Sequence, residues 1–275
     1  MKICAIQLTS GPDFAANLDE VQRRILDAVQ EGVTLIILPE NVFLFNGKAM
    51  RELSEQESIQ ESLFTTLNKL SVTLGVWIVV GSHPSLKRPD GSVVAGSRVR
   101  QSCLVFSPFS SECFRYDKIH LFDVNVADGV GQYKESDFIE PGELNPIVID
   151  VDGLKVGLSI CYDLRFPELY RELVSKGAEL IVVPAAFTYV TGKAHWNTLL
   201  RARAIENQVF IVGVNQCGFH GKNRQTYGHS VCYSPWGEDL GQLADEPDNL
   251  YVNIDTDRIQ ECKSSMPVLE HRRLT

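Results

Sequence analysis

The chain has no apolar run near the roughly 18 residues that a membrane-crossing helix needs, which argues against a membrane-spanning protein. Its first residues, Met1-Lys2-Ile3-Cys4-Ala5-Ile6-Gln7-Leu8, hold too short an apolar stretch for a secretory signal and read as a strand. No basic block or basic–aromatic cluster occurs, and 26 Lys and Arg against 35 Asp and Glu leave a net charge of −9. Nucleic acid and anionic membrane both reward a basic surface, so neither is expected as a partner. C-x-x-C and H-E-x-x-H are missing, which leaves a zinc site or other metal cofactor without support. There is no G-x-S-x-G, against a serine hydrolase, and no G-x-x-x-x-G-K-[ST], against nucleotide dependence. Solenoid-period repeats and low-complexity segments are absent as well.

What is present describes an ordinary soluble globular protein: 44% hydrophobic and 22% charged residues in 275. Such a length allows one large α/β domain or two small ones. No linker interrupts the alternation of strand-like and helix-like segments, so residues 1–275 read as a single domain. The seven cysteines, Cys4, Cys103, Cys113, Cys161, Cys217, Cys232 and Cys262, are odd in number and scattered in spacing. Free thiols in a reducing cytoplasm suit that pattern better than a disulfide framework.

Apolar periodicity sets the elements. Leu18, Val21, Ile25, Leu26 and Val29 predict a helix capped by Asn17. Thr34 to Leu38 is a fully apolar strand of the doubly buried kind. Leu63, Leu67, Leu70 and Leu74 mark a second helix stopped by Gly75, with a strand over 76–80. Four strands follow, 98–106, 112–117, 147–151 and 154–160, joined by turns that imply antiparallel pairing. The chain then offers a strand at 180–183, a helix from about His195 to Asn207, and strands at 209–214, near 229–234 and at 249–254. Strand–helix alternation flanking strands that can form mixed sheets predicts an α/β fold of two stacked sheets with helices outside.

Three of these strands end abruptly in one reactive side chain. Thr34–Leu38 runs through Pro39 into Glu40, the strand at 112–117 delivers Lys118, and Leu154–Ile160 delivers Cys161. Strand ends along one edge of an α/β sheet are where such folds collect catalytic groups. A helix start after Cys161, with Pro167 in its first turn, is expected to favour the thiolate. A carboxylate partly desolvated by Leu38, Pro39 and Phe43 can take the thiol proton, and an ammonium beside them would lower the thiol pKa and stabilise an oxyanion. Together they imply acyl transfer through a thioester. Singly, each residue also has a purely structural reading: Cys161 as a small core side chain, Glu40 as a cap, Lys118 as a surface partner of Asp117.

LPE at Leu38–Glu40, YDKIHLFD at Tyr116–Asp123 and GLSICYDLRFPELYR at Gly157–Arg171 resemble the three signature segments of the nitrilase superfamily of carbon–nitrogen hydrolases. Ala186–Gln208 is similar to the family's loop and helix behind the nucleophile. The resemblance implies Glu40 as general base, Lys118 as transition-state stabiliser and Cys161 as nucleophile. It further implies the backbone N–H of Tyr162 as second oxyanion donor and Glu135 as the glutamate that orients Lys118. The implied fold is a four-layer α-β-β-α sandwich, paired through helices into a homodimer, with no cofactor. Asp123–Ser136 and Asn215–Ser230 resemble the Nit branch, which acts on small amides of 2-oxo acids, and within it the deaminated-glutathione amidases more than the ω-amidases for 2-oxoglutaramate. Such anionic substrates call for cations, and Arg165, four residues past Cys161, is a candidate carboxylate ligand or else the partner of Glu168 or Glu172. Thr191 and His195 are further candidates for the pocket wall, or else a turn residue and a helix-start residue.

Overall fold

A computed structural model describes residues 1–274. In chain order the elements are β1 (Lys2–Gln7), α1 (Phe14–Gln30), β2 (Leu35–Ile37), α2 (Met50–Glu55), α3 (Glu57–Leu74), β3 (Trp77–Ser85), β4 (Arg100–Phe106) and β5 (Cys113–Asp117). A central group follows: β6 (Asp123–Asn125), β7 (Gln132–Lys134), β8 (Val148–Val151), β9 (Leu154–Leu158), α4 (Pro167–Ser175) and β10 (Leu180–Ala185). The last third holds α5 (Tyr189–Asn207), β11 (Phe210–Asn215), β12 (Cys217–His220), β13 (Arg224–Tyr227), β14 (Val231–Tyr233), β15 (Asp239–Gln242), β16 (Asp248–Asn253) and α6 (Asp257–Ser265).

Two six-stranded sheets result, with strand orders β16-β1-β2-β3-β4-β5 and β15-β14-β11-β10-β9-β8. Alternation explains how the first is buried on both sides. Ile3, Ala5, Leu35, Ile37, Trp77, Val79, Cys103 and Val105 share one core with Val156, Leu158, Ile181, Val183 and Ile211 of the second sheet. The intervening residues Cys4, Ile6, Ile36, Ile78, Val80, Leu104 and Phe106 pack instead on Val21 and Ile25 of α1 and Leu63 and Leu67 of α3. Helices α4 and α5 cover the second sheet through Leu169, Tyr170, Leu173, Trp196, Leu200 and Ala204. The expected four-layer sandwich is therefore the fold.

Local boundaries differ from the sequence expectations in instructive ways. Helix α1 starts at Phe14, three residues before Asn17, capped by Asp13, which accepts the Ala16 N–H at 3.1 Å. Asn17 instead ties two loops, donating to the carbonyls of Gly11 and Phe43 at 2.9 Å each. Helix α5 starts at Tyr189, six residues before His195, because Thr188 caps it by accepting the Thr191 N–H. The four middle strands divide between the sheets: β4 and β5 extend the first, β8 and β9 start the second. The residues between them, 118–147, leave both sheets and build one wall of the site.

The strands β1, β2 and β3 are parallel, as are β9, β10 and β11. Strand β5, antiparallel to β4 and so co-directional with β3, also ends on the edge where β2 ends. Glycine is required where these ends converge. A Cβ on Gly81 would lie 2.2 Å from the Leu38 carbonyl oxygen and 2.4 Å from the Pro184 Cβ, so the two sheets approach there at backbone distance.

Candidate active site

Pro39 stops β2 and turns Glu40 inward, where its side chain is 3% exposed. The loop is held from several sides. Asn41, in the left-handed region at φ 58°, receives the Gln101 amide at 2.6 Å, and Gln216 donates to the Glu40 carbonyl at 2.9 Å. Lys118 continues β5 by donating its N–H to the Gln101 carbonyl at 2.9 Å. Its ammonium, 1% exposed, donates to Glu40 Oε1 at 2.8 Å and to both oxygens of Glu135 at 2.7 and 2.9 Å. Glu135 follows β7, and its Oε2 accepts the Phe122 N–H at 2.7 Å. Seventy-eight residues separate Lys118 from Glu40, yet fold topology alone brings them into a buried contact.

Cys161 opens a short 3-10 turn, Cys161–Arg165, at the end of β9, and its φ of +48° is a left-handed conformation that costs a non-glycine residue about 1 kcal/mol or more. Neighbouring contacts over-determine that strained bend. Asp163, fully buried, accepts the Ile160 N–H at 2.9 Å, the Tyr116 hydroxyl at 2.7 Å and the His120 Nδ1–H at 2.7 Å. Arg203 of α5 donates twice to the Leu164 carbonyl, at 3.2 and 2.9 Å. The Tyr162 N–H has no hydrogen-bond partner among the described residues, so it is free to face a ligand.

Charge around the sulfur corrects one expectation. Burial, and then the negative Glu40 beside it, push the Cys161 thiol well above its ordinary range, while Lys118 and the Ala186 N–H pull the other way and do not prevail. Helix α4 begins only at Pro167, so its N-terminal charge does not dominate at residue 161. These surroundings favour the protonated thiol over the thiolate in the resting site. Burial tends to lower Lys118, but Glu135 and Glu40 outweigh it and hold the ammonium well above the usual lysine range. Burial raises Glu135 above the ordinary carboxylate range; Lys118 opposes the rise and Glu40 adds to it.

These groups form the floor of a cavity of about 380 Å³. Glu40, Lys118, Glu135, Cys161 and Tyr162 all line it, and so does Thr191. Arg165 and His195 do not. They contact each other, with Arg165 nitrogens 3.3 and 3.4 Å from His195 Nδ1, and Arg165 lies over the rings of Tyr162 and Phe187, which do line the cavity. Arg165 pairs with neither Glu168 nor Glu172 among the described residues. The site thus pairs a thiol, a carboxylate placed to accept its proton and a fixed ammonium in one cavity. That set can carry acyl transfer without a metal, and no metal-ligating cluster occurs among the described residues.

Residues 2–264 match the family described as carbon–nitrogen hydrolase. The chain belongs to the carbon–nitrogen hydrolase family. Among relatives of this carbon–nitrogen hydrolase, the deaminated glutathione amidase of Yersinia enterocolitica is 41% identical over 272 residues, covering 98% of this chain and 92% of the relative. Nit3 of Saccharomyces cerevisiae, a member of branch 10 of the nitrilase superfamily, superposes with a TM-score of 0.86 at 28% identity, over 100% of this chain and 97% of that one. The NitFhit protein of C. elegans superposes with a TM-score of 0.87 at 32% identity over 99% of this chain, which spans 65% of that longer protein.

Several residues with evident work at the site were not singled out from sequence. Asp163 stood in the CYDLR segment, where an acid two residues past a buried strand is a signal in itself. Gln216 and Asn41 carried none, because neutral amides at strand ends are common. Arg224 sits in a polar hairpin turn, where a basic residue reads as surface.

Proposed function

We propose that the protein hydrolyses an amide C–N bond through a thioester on Cys161, and that its substrate is deaminated glutathione, released as 2-oxoglutarate and cysteinylglycine. The observation that carries the chemistry is the buried ammonium of Lys118, bound between Glu40 and Glu135 on a cavity floor shared with the Cys161 thiol. Support for the substrate comes from the 41% identity, over nearly the whole chain, to a relative named for that amide.

In this reading Glu40 takes the Cys161 proton as the sulfur attacks the amide carbonyl, so that the thiolate forms only during bond making. The carbonyl oxygen becomes an oxyanion between the Lys118 ammonium and the Tyr162 N–H. Collapse breaks the C–N bond, Glu40 returns the proton to the departing amine, and the acyl group stays on sulfur. A water then gives its proton to Glu40 and attacks the thioester, which frees the acid and restores the thiol. Glu135 holds Lys118 in place throughout. Thr191, on the cavity wall, is placed to contact the acyl half, whereas Arg165, over the Tyr162 and Phe187 rings with His195 against it, acts only by positioning those rings. Cys161→Ala is expected to lose about 10⁴-fold or more in kcat while melting as the parent does. Mass spectrometry of the parent caught during turnover should find a 2-oxoglutaryl group on Cys161, and full activity of the alanine variant would end the proposal.

The same proposal includes a single catalytic unit over 1–275, a reducing cytoplasmic setting and a homodimer. All seven cysteines are free, which suits that compartment. Ile205 and Trp236, both about half exposed, flank Gly237 on the helical side of the second sheet and offer an apolar patch for a second copy. Light scattering reads the assembly directly.

A further inference from the structure

Of the cations lining the cavity, Lys48 and Arg224 form no ion pair among the described residues; Lys48 is exposed, whereas Arg224 keeps a buried donor without an acceptor. Arg224 opens β13 after the Gly221-Lys222-Asn223 turn, and its guanidinium lies 4.5 Å from the Phe45 ring centre and 5.5 Å from that of Tyr133. All three residues line the cavity. Its Nε is buried and finds no acceptor among the described residues. Asp128, which feels the Arg224 charge, forms no ion pair with it among the described residues and is committed elsewhere: it accepts the N–H groups of Val130 and Gly131 at 2.9 and 3.0 Å and the Tyr133 hydroxyl at 2.8 Å. A buried guanidinium donor without an acceptor is costly unless a ligand supplies one.

The mount is rigid. Phe45 stacks on His220 with ring centres 3.7 Å apart, and His220 is fixed by the Ser10 carbonyl at 2.8 Å and the Thr226 hydroxyl at 2.7 Å. A planar cation held on aromatic faces is preorganised for bidentate binding of a carboxylate. The mount also belongs to a definite side of the site. Phe45 lies on the loop that begins at Glu40, and Ser10, which His220 grips, bonds the Gln216 amide that also supports the Glu40 carbonyl. Tyr162, Phe187 and Thr191 form the Cys161 side instead. Glu40 must hand its proton to the departing amine, so the leaving group occupies the Glu40 side.

We propose that Arg224 is a specificity residue that binds a carboxylate carried by the leaving amine, selecting amides whose nitrogen belongs to a short acidic peptide over simple amides. This rests on the amidase reading above. The test compares two 2-oxoglutaryl amides that differ at one end, with cysteinylglycine or cysteinylglycinamide as leaving group, in the parent, Arg224→Leu and Arg224→Lys proteins. In the parent, kcat/KM should favour the acid. Arg224→Leu should reduce that preference roughly ten- to hundredfold, chiefly through KM, and Arg224→Lys should restore part of it. A variant that loses both substrates by the same factor, or loses neither, overturns the proposal. Calorimetry of the same pair on Cys161→Ala protein, with and without Arg224→Leu, reads the preference without turnover. Absence of hydrolysis by the parent would sink the amidase reading, and the calorimetric comparison would still decide the role of Arg224.

Discussion

Three charges and one neutral thiol govern the chemistry at the scale of single residues. With Glu40 and Glu135 both against Lys118, a resting thiolate would be a third anion around one cation, and the environment keeps the proton on sulfur. Glu40 is then needed twice per turnover, once for the thiol and once for water. Glu40→Gln, which keeps the Lys118 contact through its amide oxygen, should lower kcat by about 10²- to 10⁴-fold. Single-turnover kinetics should find acylation and deacylation both slowed, and slowing of only one step would contradict the double role. Cys161, Glu40 and Lys118 were legible because each stands just past the end of a strand, two of them apolar, a place where a reactive group is conspicuous. The protonation state was not legible. It depends on how completely the pocket excludes water and on a carboxylate 121 positions away in sequence, neither of which is a local property of the CYDLR segment.

Elements decide whether those groups stay in register. The bend at Cys161 is held open by Asp163, which joins the chain just past β9 through Ile160, β5 through Tyr116 and the following loop through His120. All of these partners are donors, so an amide at 163 would turn an NH2 toward at least one of them. Asp163→Asn should therefore cost on the order of 3 kcal/mol of stability in urea unfolding. The loss in kcat should exceed any change in KM, since the residue sets the angle of the sulfur rather than the fit of the substrate. An unaltered kcat in a destabilised but folded protein would show that the bend survives without this tether. Hydrophobic periodicity revealed most elements, as in α3, which runs through Leu63 and Leu67 to stop at Gly75. It did not reveal which sheet β8 and β9 join, because a buried strand looks alike in either. Nor did it place the start of α5, which Thr188 caps so that the helix begins six residues before the expected start near His195.

For the molecule as a whole, burial of neutral titratable groups sets a pH window of greatest stability. His83 lies in the core of the first sheet, with Nε2 2.7 Å from the Gln60 side-chain oxygen and no partner for Nδ1. Burial pushes its pKa down to about 3. Burial first, and the Arg224 charge in addition, take His220 down to about 4 against the raising effect of the Ser10 carbonyl. The unfolded chain binds these protons near pH 6.5 and the folded one does not, so their contribution is intact above 6.5 and is lost as pH falls toward 4 and 3. Each group accounts for up to about 1.4 kcal/mol per pH unit within its window. Thiols close the other side: burial raises Cys4 and Cys113 to about 12, so the unfolded state ionises first and stability falls as pH climbs from about 9. A plateau between roughly 6.5 and 9 is expected, with a fall on both flanks. Urea midpoints measured from pH 7 to 4.5 test the acid flank, and His83→Gln should flatten the slope by the share of one histidine, whatever its effect on stability at pH 7. Parallel curves for parent and variant would mean that His83 takes up its proton without unfolding, and the acid limit would then belong to other groups.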